Sequence, residues 1–204
     1  MNPNFSQFIY ENSFSHTLLI SCYKCDKSTD YCIFFSVIDS DLNSAILNDE
    51  SAEFKKLSSG QNETNPIVFK ASDGTLETAL HYAARRGQVD IVIFLATKLD
   101  DILPYASNGW TPMHFGAFYN KPKVIEYYLS SNKTIDKNPG QNSSDKLKGR
   151  TPLHYACQKG HLKIVQMMLE VLEEKNPDDA YKYTALHSAA SNGELEVVKA
   201  LSDV

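Results

Sequence analysis

Arginine, tryptophan and cysteine are all scarce in this chain of 204 residues. Arg85, Arg86 and Arg150 are its only arginines, against 17 lysines, and Trp110 is its one tryptophan. The net charge of −5 lacks the basic balance of nucleic-acid binders, so nucleic acid is not an expected partner. Four cysteines in this length are too few for a disulfide framework, and a reducing, cytoplasmic setting is the expectation. No apolar run approaches the length of a membrane-spanning helix, so no direct membrane insertion is expected. The opening residues lack the basic start and apolar core of a signal peptide. Catalytic signatures are missing as well. There is no Gly-x-Ser-x-Gly, no phosphate-cradling loop and no His-Glu-x-x-His, and the acidic residues are scattered rather than paired. Neither an enzyme nor a cofactor is expected. Hydrophobic content of 42% with 22% charged residues still provides for a packed, globular chain.

What is abundant is repetition. From Gly149 to Leu169 the chain reads as two short helices joined by a tight turn. Thr151 is placed to cap the first helix, and Pro152 follows where a missing N–H costs nothing. Leu153 and Ala156 make a narrow apolar stripe, and Gly160 ends the helix. Leu162, Ile164, Val165, Met168 and Leu169 form a second amphipathic helix. The pattern recurs at Thr78-Ala79-Leu80-His81, Thr111-Pro112-Met113-His114 and Thr184-Ala185-Leu186-His187. The first and last intervals between the four threonines are equal, and the middle one, from Thr111 to Thr151, is longer. Gly87, Asn120, Gly160 and Gly193 each stand nine positions after their threonine.

A period of about 33 residues with Thr-Pro-Leu-His opening a helix pair resembles the ankyrin repeat, over residues 72–204. The resemblance implies an all-α fold, a solenoid of stacked helix pairs with short β-turn fingers. Two positions depart from its pattern. The glycine expected two positions before the threonine is Leu76 in the first copy and Lys182 in the fourth, so those finger turns are expected to differ in shape.

Outside the four copies, residues 1–40 form a non-repeat segment holding eight of the 21 Phe and Tyr residues, with an apolar run at 31–38 that is strand-like by composition but not separable from a buried helix turn. Residues 41–71 read as a degenerate first repeat followed by a polar connector. The extra length between the second and third copies makes a polar, mobile loop at 130–148. Cys22, Cys25 and Cys32, with His16 upstream, have half the look of a zinc site. No second Cys/His pair follows at usual spacing, so no metal is expected.

His81, His114, His154 and His187 are in register, which invites a metal ladder or a catalytic base. Stacked repeats lie about 10 Å apart, too far for two imidazoles to share one ion at about 2 Å each. A structural role in ordering each turn through hydrogen bonds is expected instead. Cys157 occupies a small-residue packing site and reads as a structural thiol.

The resemblance also implies a binding face, built from the finger tip and the exposed end of the inner helix. It places Glu77, Trp110, Arg150 and Tyr183 just before the threonines. It places Arg85 and Arg86, Phe118 and Tyr119, Gln158 and Lys159, and Ser191 and Asn192 on the inner helices. All the arginine and the one tryptophan fall at these sites, and these residue types are enriched in binding hot spots. The implied function is non-enzymatic protein–protein interaction, as an adaptor or scaffold, with a partner segment carrying acidic and apolar side chains. These face residues are expected to point to solvent. The alternative is a region of a larger protein, such as an ion channel or a modular enzyme. The last outer helix keeps Leu195, Val197, Val198 and Leu201 apolar, so self-association through an uncapped fourth repeat is a further expectation.

Overall fold

The computed structural model describes residues 6–10, 18–22, 31–32, 68–71, 75–99, 101–131, 135–142 and 148–203. The expected worn repeat at 41–58 lies outside them, as do the side chains of Cys22, Cys25, Cys32 and His16.

Eight helices are found among the described residues, in four pairs: α1 (Ala79–Arg86) with α2 (Val89–Lys98), α3 (Pro112–Phe118) with α4 (Pro122–Ser130), α5 (Pro152–Gln158) with α6 (Leu162–Val171), and α7 (Ala185–Asn192) with α8 (Leu195–Ser202). Each inner helix packs on the next, α1 on α3, α3 on α5 and α5 on α7, and the outer helices follow the same order. This is the expected helix-pair solenoid.

The inner helices start where they do because each threonine holds an extended backbone while the next residue enters the helix. Pro112 and Pro152 occupy first helical positions in two of them, and Pro122 does so in α4. The inner helices end at Gly87, Asn120, Gly160 and Gly193, all with positive φ, so Asn120 substitutes for glycine as its spacing indicates. The core runs through the stack as one cluster. Leu80, Met113 and Leu153 come from the inner helices, and Ile91, Leu95, Val124, Ile125, Tyr128, Val165 and Met168 from the outer ones. Each such side chain removed from water contributes about 1.5–3 kcal/mol.

Two antiparallel sheets precede the array. Strands β1 (Ser6–Tyr10) and β2 (Leu18–Cys22) form a hairpin, and β3 (Tyr31–Cys32), β4 (Val68–Ala71) and β5 (Leu76–Thr78) form a three-stranded sheet in that order. The end of the expected connector is therefore a strand, and β5 leads straight into α1.

Fingers follow each other by main-chain bonds. Ser107 N–H donates to the Leu76 carbonyl, Asn142 N–H to Gly109, and Ala180 N–H to Lys148. Gly109 and Gly149 turn their fingers at φ 78° and 82°, and Lys182 takes the same left-handed turn at φ 64°. The fourth finger thus keeps the family shape at the cost of a strained side-chain residue, whereas Leu76 lies in β5 and makes a different finger.

Residues 135–142 are held rather than mobile. Ile135 packs against the core, and Pro139 and Gln141 are buried. Gln141 exchanges main-chain bonds with Arg150 and Gly149, its side-chain amide donates to the Asn108 carbonyl, and its amide oxygen accepts from the Tyr155 hydroxyl. Asp136 accepts from the Asn138 N–H, and the Asn138 side chain accepts from Leu153 N–H. The polar composition of this stretch is that of a hydrogen-bonded finger.

Candidate functional site

The four histidines tie the scaffold of the face together. In each repeat the threonine N–H lies 3.1–3.2 Å from its histidine Nδ1. A backbone N–H can only donate, so Nδ1 accepts and the proton sits on Nε2. That Nε2–H then donates into the next repeat: His81 to the Pro104 and Trp110 carbonyls, His114 to Arg150, and His154 to Tyr183, at 2.9–3.1 Å. Burial pushes the His81 pKa down to about 4 and that of His114 to about 3, and lowers that of His154. The rings are neutral pins between repeats. Cys157 is fully buried, and burial pushes its thiol up to about 12, which leaves it inert. Among the described residues no three His, Cys, Asp or Glu side chains gather as a metal site.

The face residues divide into a buried set and an exposed set. Glu77 and Arg85, expected at the surface, are instead 1% and 6% exposed. Their charges neutralise each other across 2.8 Å, and the Arg85 guanidinium lies 5.4–5.8 Å from the Tyr82, Phe115 and Tyr119 ring centres. A guanidinium paired with carboxylate and packed on rings tolerates this loss of water. Arg150 is half-buried for a similar reason. Its Nε lies 3.3 Å from Asp179 Oδ2, its Nη1 lies 3.5 Å from Gln158 Oε1, and its guanidinium stacks 5.0 Å over the Tyr183 ring. Burial alone would raise the Asp179 carboxyl. The Tyr183 and Tyr181 N–H groups and the Arg150 guanidinium outweigh it and hold the pKa below the usual range.

Trp110 is also half-buried. Its ring centre lies 4.6 Å from that of Tyr155, 5.1 Å from Phe115 and 5.2 Å from Phe118, so it welds the second repeat to the third. It is a packing residue as much as a surface one, contrary to the expectation of a simple solvent-facing site. The Tyr183 hydroxyl lies 2.6 Å from Ser191 Oγ and 3.1 Å from the His187 carbonyl.

The exposed set is smaller. Arg86, Tyr119, Lys159, Ser191 and Asn192 face solvent, with Phe118 and Gln158 half-exposed beside them. Lys159 Nζ sits 4.5 Å above the Phe118 ring centre, and Phe118 meets Tyr119 edge-on at 5.1 Å. Tyr155 and Asp179 complete the site, and spacing alone did not single them out. Tyr155 stands four positions after its threonine, where Tyr82 and Phe115 also stand, and that shared aromatic position was the available signal.

With this geometry in place, comparison with known proteins decides the family. A family model described as ankyrin repeats (3 copies) matches residues 42–141 and 135–204. The chain belongs to the ankyrin-repeat family. It is similar to alpha-latrotoxin-Lg1a of Latrodectus geometricus, with 33% identity over 173 residues, covering 81% of the chain and 12% of that protein. It is similar to human transient receptor potential cation channel subfamily A member 1, with 32% identity over 141 residues, covering 67% and 12%. The E3 ubiquitin-protein ligase XBAT33 of Arabidopsis thaliana is 26% identical over 170 residues, covering 70% of the chain and 32% of the ligase. The chain therefore spans a small part of the length of these relatives. No described helix is long and apolar enough to cross a membrane.

Proposed function

We propose that this ankyrin array is a non-enzymatic, cytoplasmic recognition module, an adaptor or scaffold that grips an extended or helical protein segment on its finger and inner-helix face. Ankyrin repeats in general mediate contacts between proteins. The observation that carries the reading is the strip of half-exposed Phe118 and exposed Tyr119 with Lys159 Nζ 4.5 Å above the Phe118 ring and exposed Arg86 at the end of the preceding inner helix, on a chain of net charge −5. Rigid rings supply apolar area at little entropic cost, and the two cations select carboxylates. Arg85 and Arg150 are matched within the array by Glu77 and Asp179, so they shape the strip rather than meet the partner.

Selection of short displayed peptides on the purified protein tests this. Enriched peptides should combine Asp or Glu with apolar residues and lose about tenfold or more in affinity for Arg86→Glu/Lys159→Glu or Tyr119→Ser. The charge-reversed variant should melt as wild type does, since Arg86 and Lys159 are exposed, whereas Tyr119→Ser gives up ring contacts with Phe115, Phe118 and Arg85 and should melt slightly lower while staying folded. Peptides that bind these variants as tightly as wild type place the site elsewhere.

A second reading has its own observation. The relatives are several times longer than their match to this chain, so the array also fits as the ankyrin region of a larger protein, such as a channel or a modular enzyme. Self-association through the fourth repeat competes with that reading, and light scattering across a range of concentrations separates the two.

A further inference from the structure

The outer helices open with charges of opposite sign in different repeats. Asp90 stands at the second position of α2, and Glu196 at the second position of α8. A carboxylate suits a helix start, where free backbone N–H groups leave partial positive charge. The same position holds Lys123 in α4 and Lys163 in α6, and neither helix has an acidic residue in its first turn. A lysine there works against its own helix, so stability does not account for this pair.

The neighbouring turns carry the same sign. The Lys121 stem lies against Gly87, which follows Arg86, and so reaches from the second repeat to the turn of the first. His161 Nε2 lies 3.1 Å from the Phe118 carbonyl and ties the third turn to the second, while Lys159 Nζ sits 4.5 Å above the Phe118 ring. Helix α4 packs on α6. Arg86, Lys121, Lys123, Lys159 and Lys163 therefore share one end of the stack, where the helices of each pair are joined, away from the fingers. Lys121 is half-buried and the other four are exposed. None of the five pairs with a carboxylate among the described residues, where the ion pairs are Glu77–Arg85, Arg150–Asp179, Lys182–Asp178 and Lys199–Glu196. Glu126, one turn along α4 from Lys123, is exposed and forms no ion pair with it. Acid returns on both sides, with Asp90 in the first repeat and Glu194 and Glu196 in the fourth. The positive patch is thus two repeats wide, about 20 Å at roughly 10 Å per repeat.

We propose that this patch is a docking surface for a short run of Asp and Glu residues in a protein partner. Arg86 and Lys159 belong to both the recognition strip and the patch, so the inference rests on the recognition reading for the course of the partner: its acidic run leaves the strip and turns under the joined ends of the second and third helix pairs. Lys121, Lys123 and Lys163 are the patch's own residues and lie outside the strip. The acidic borders set the class of partner. A membrane surface or a nucleic-acid backbone presents anions over a longer span and meets Asp90, Glu194 and Glu196 as well. An extended run of about six residues, at roughly 3.3 Å each, fits between those borders.

Binding of end-labelled hexaglutamate to the full chain at low salt tests it, with phosphatidylserine-containing vesicles and duplex DNA as rival probes. Hexaglutamate should bind, and should lose about tenfold or more in affinity for Lys123→Glu/Lys163→Glu. This variant should melt no lower than wild type, because an acidic residue at these positions matches Asp90 and Glu196. Lys98→Glu/Lys148→Glu makes the same change of charge at exposed lysines elsewhere and should stay within about twofold of wild type. Hexaglutamate has no apolar side chain for the Phe118–Tyr119 strip, so the two readings fail separately. Displayed peptides that ignore Tyr119→Ser remove the strip, and hexaglutamate that ignores Lys123→Glu/Lys163→Glu removes the patch. Absence of hexaglutamate binding also overturns the proposal, as do equal losses in the two double variants. Vesicles or DNA that bind more tightly than hexaglutamate, and are released by Lys123→Glu/Lys163→Glu, overturn the class of partner.

Discussion

Two junctions of this array use one backbone device and opposite side-chain chemistry. Between the second and third repeats, His114 pins the Arg150 carbonyl and Trp110 fills the space with rings, packed on Tyr155 at 4.6 Å. Between the third and fourth, His154 pins the Tyr183 carbonyl at the same 2.9 Å, and the Arg150–Asp179 ion pair takes the place of the aromatic weld. The shared pin sets the spacing of repeats. The side chains around it are free to be apolar in one place and ionic in another, which is how an array of one fold carries a varied surface.

The largest expected effect breaks the shared device. His81 and His114 are held neutral, so their folded pKa values of about 4 and about 3 lie below the ordinary 6.5. Above pH 6.5 both folded and unfolded forms are neutral and stability is fully present. As pH falls below 6.5 the unfolded chain takes up protons that the folded chain refuses, so stability is lost until pH nears the folded values. By pH 5 this amounts to about 2 kcal/mol for each ring. Urea midpoints measured at pH 7, 6 and 5 should fall steeply, and a flat profile would show that the rings are not neutral pins.

Trp110→Ala comes next and breaks only the aromatic junction. About 3 kcal/mol of destabilisation is expected in chemical melts, since a large packed ring leaves a cavity. Asp179→Asn sharpens the comparison from the other side. It removes the partner of Arg150 and should cost about 1–2 kcal/mol. Hydrogen exchange should quicken in residues 184–203 and stay unchanged in α3 and α4. Protection lost equally in both regions would mean that the junctions are not separable.

The smallest effect is a gain. Lys182 holds a left-handed φ of 64° that glycine adopts freely, as Gly109 and Gly149 do in the two preceding fingers. Lys182→Gly should stabilise the protein by about 0.5–1 kcal/mol, after loss of an exposed ion pair to Asp178 worth little. A lower melting temperature would show that the pair outweighs the strain.

The helix pairs, their caps and their left-handed ends were legible in the sequence because each rests on local chemistry at fixed spacing: threonine, then proline, then histidine, then glycine or Asn120. Side-chain exposure was not legible at the same positions. Arg85 and Arg86 are neighbours on one helix, yet one is buried against Glu77 and the other faces water. A periodic pattern gives a residue its face but does not show which carboxylate folds back to meet it. The same blindness applied to Asp179, and to residues 135–142, whose polar composition is that of a loose loop although Gln141 is fully engaged. Lys182 shows the converse, since the neighbouring fingers impose a turn that its own residue type does not favour.

The rungs that join successive fingers, such as Ser107 to Leu76 and Asn142 to Gly109, are main-chain bonds, supplemented by the Leu76 N–H donating to Ser107 Oγ and the Gln141 side-chain amide donating to the Asn108 carbonyl. Side chains other than Ser107 and Gln141 can therefore be exchanged at a finger tip without cutting a rung. Under tension these rungs are loaded one after another along the array rather than all at once. A pull on the carboxyl end strips the fourth unit first, releasing about 100 Å of slack before the next unit bears the force. The array behaves as a row of detents, with the weakest at its exposed end.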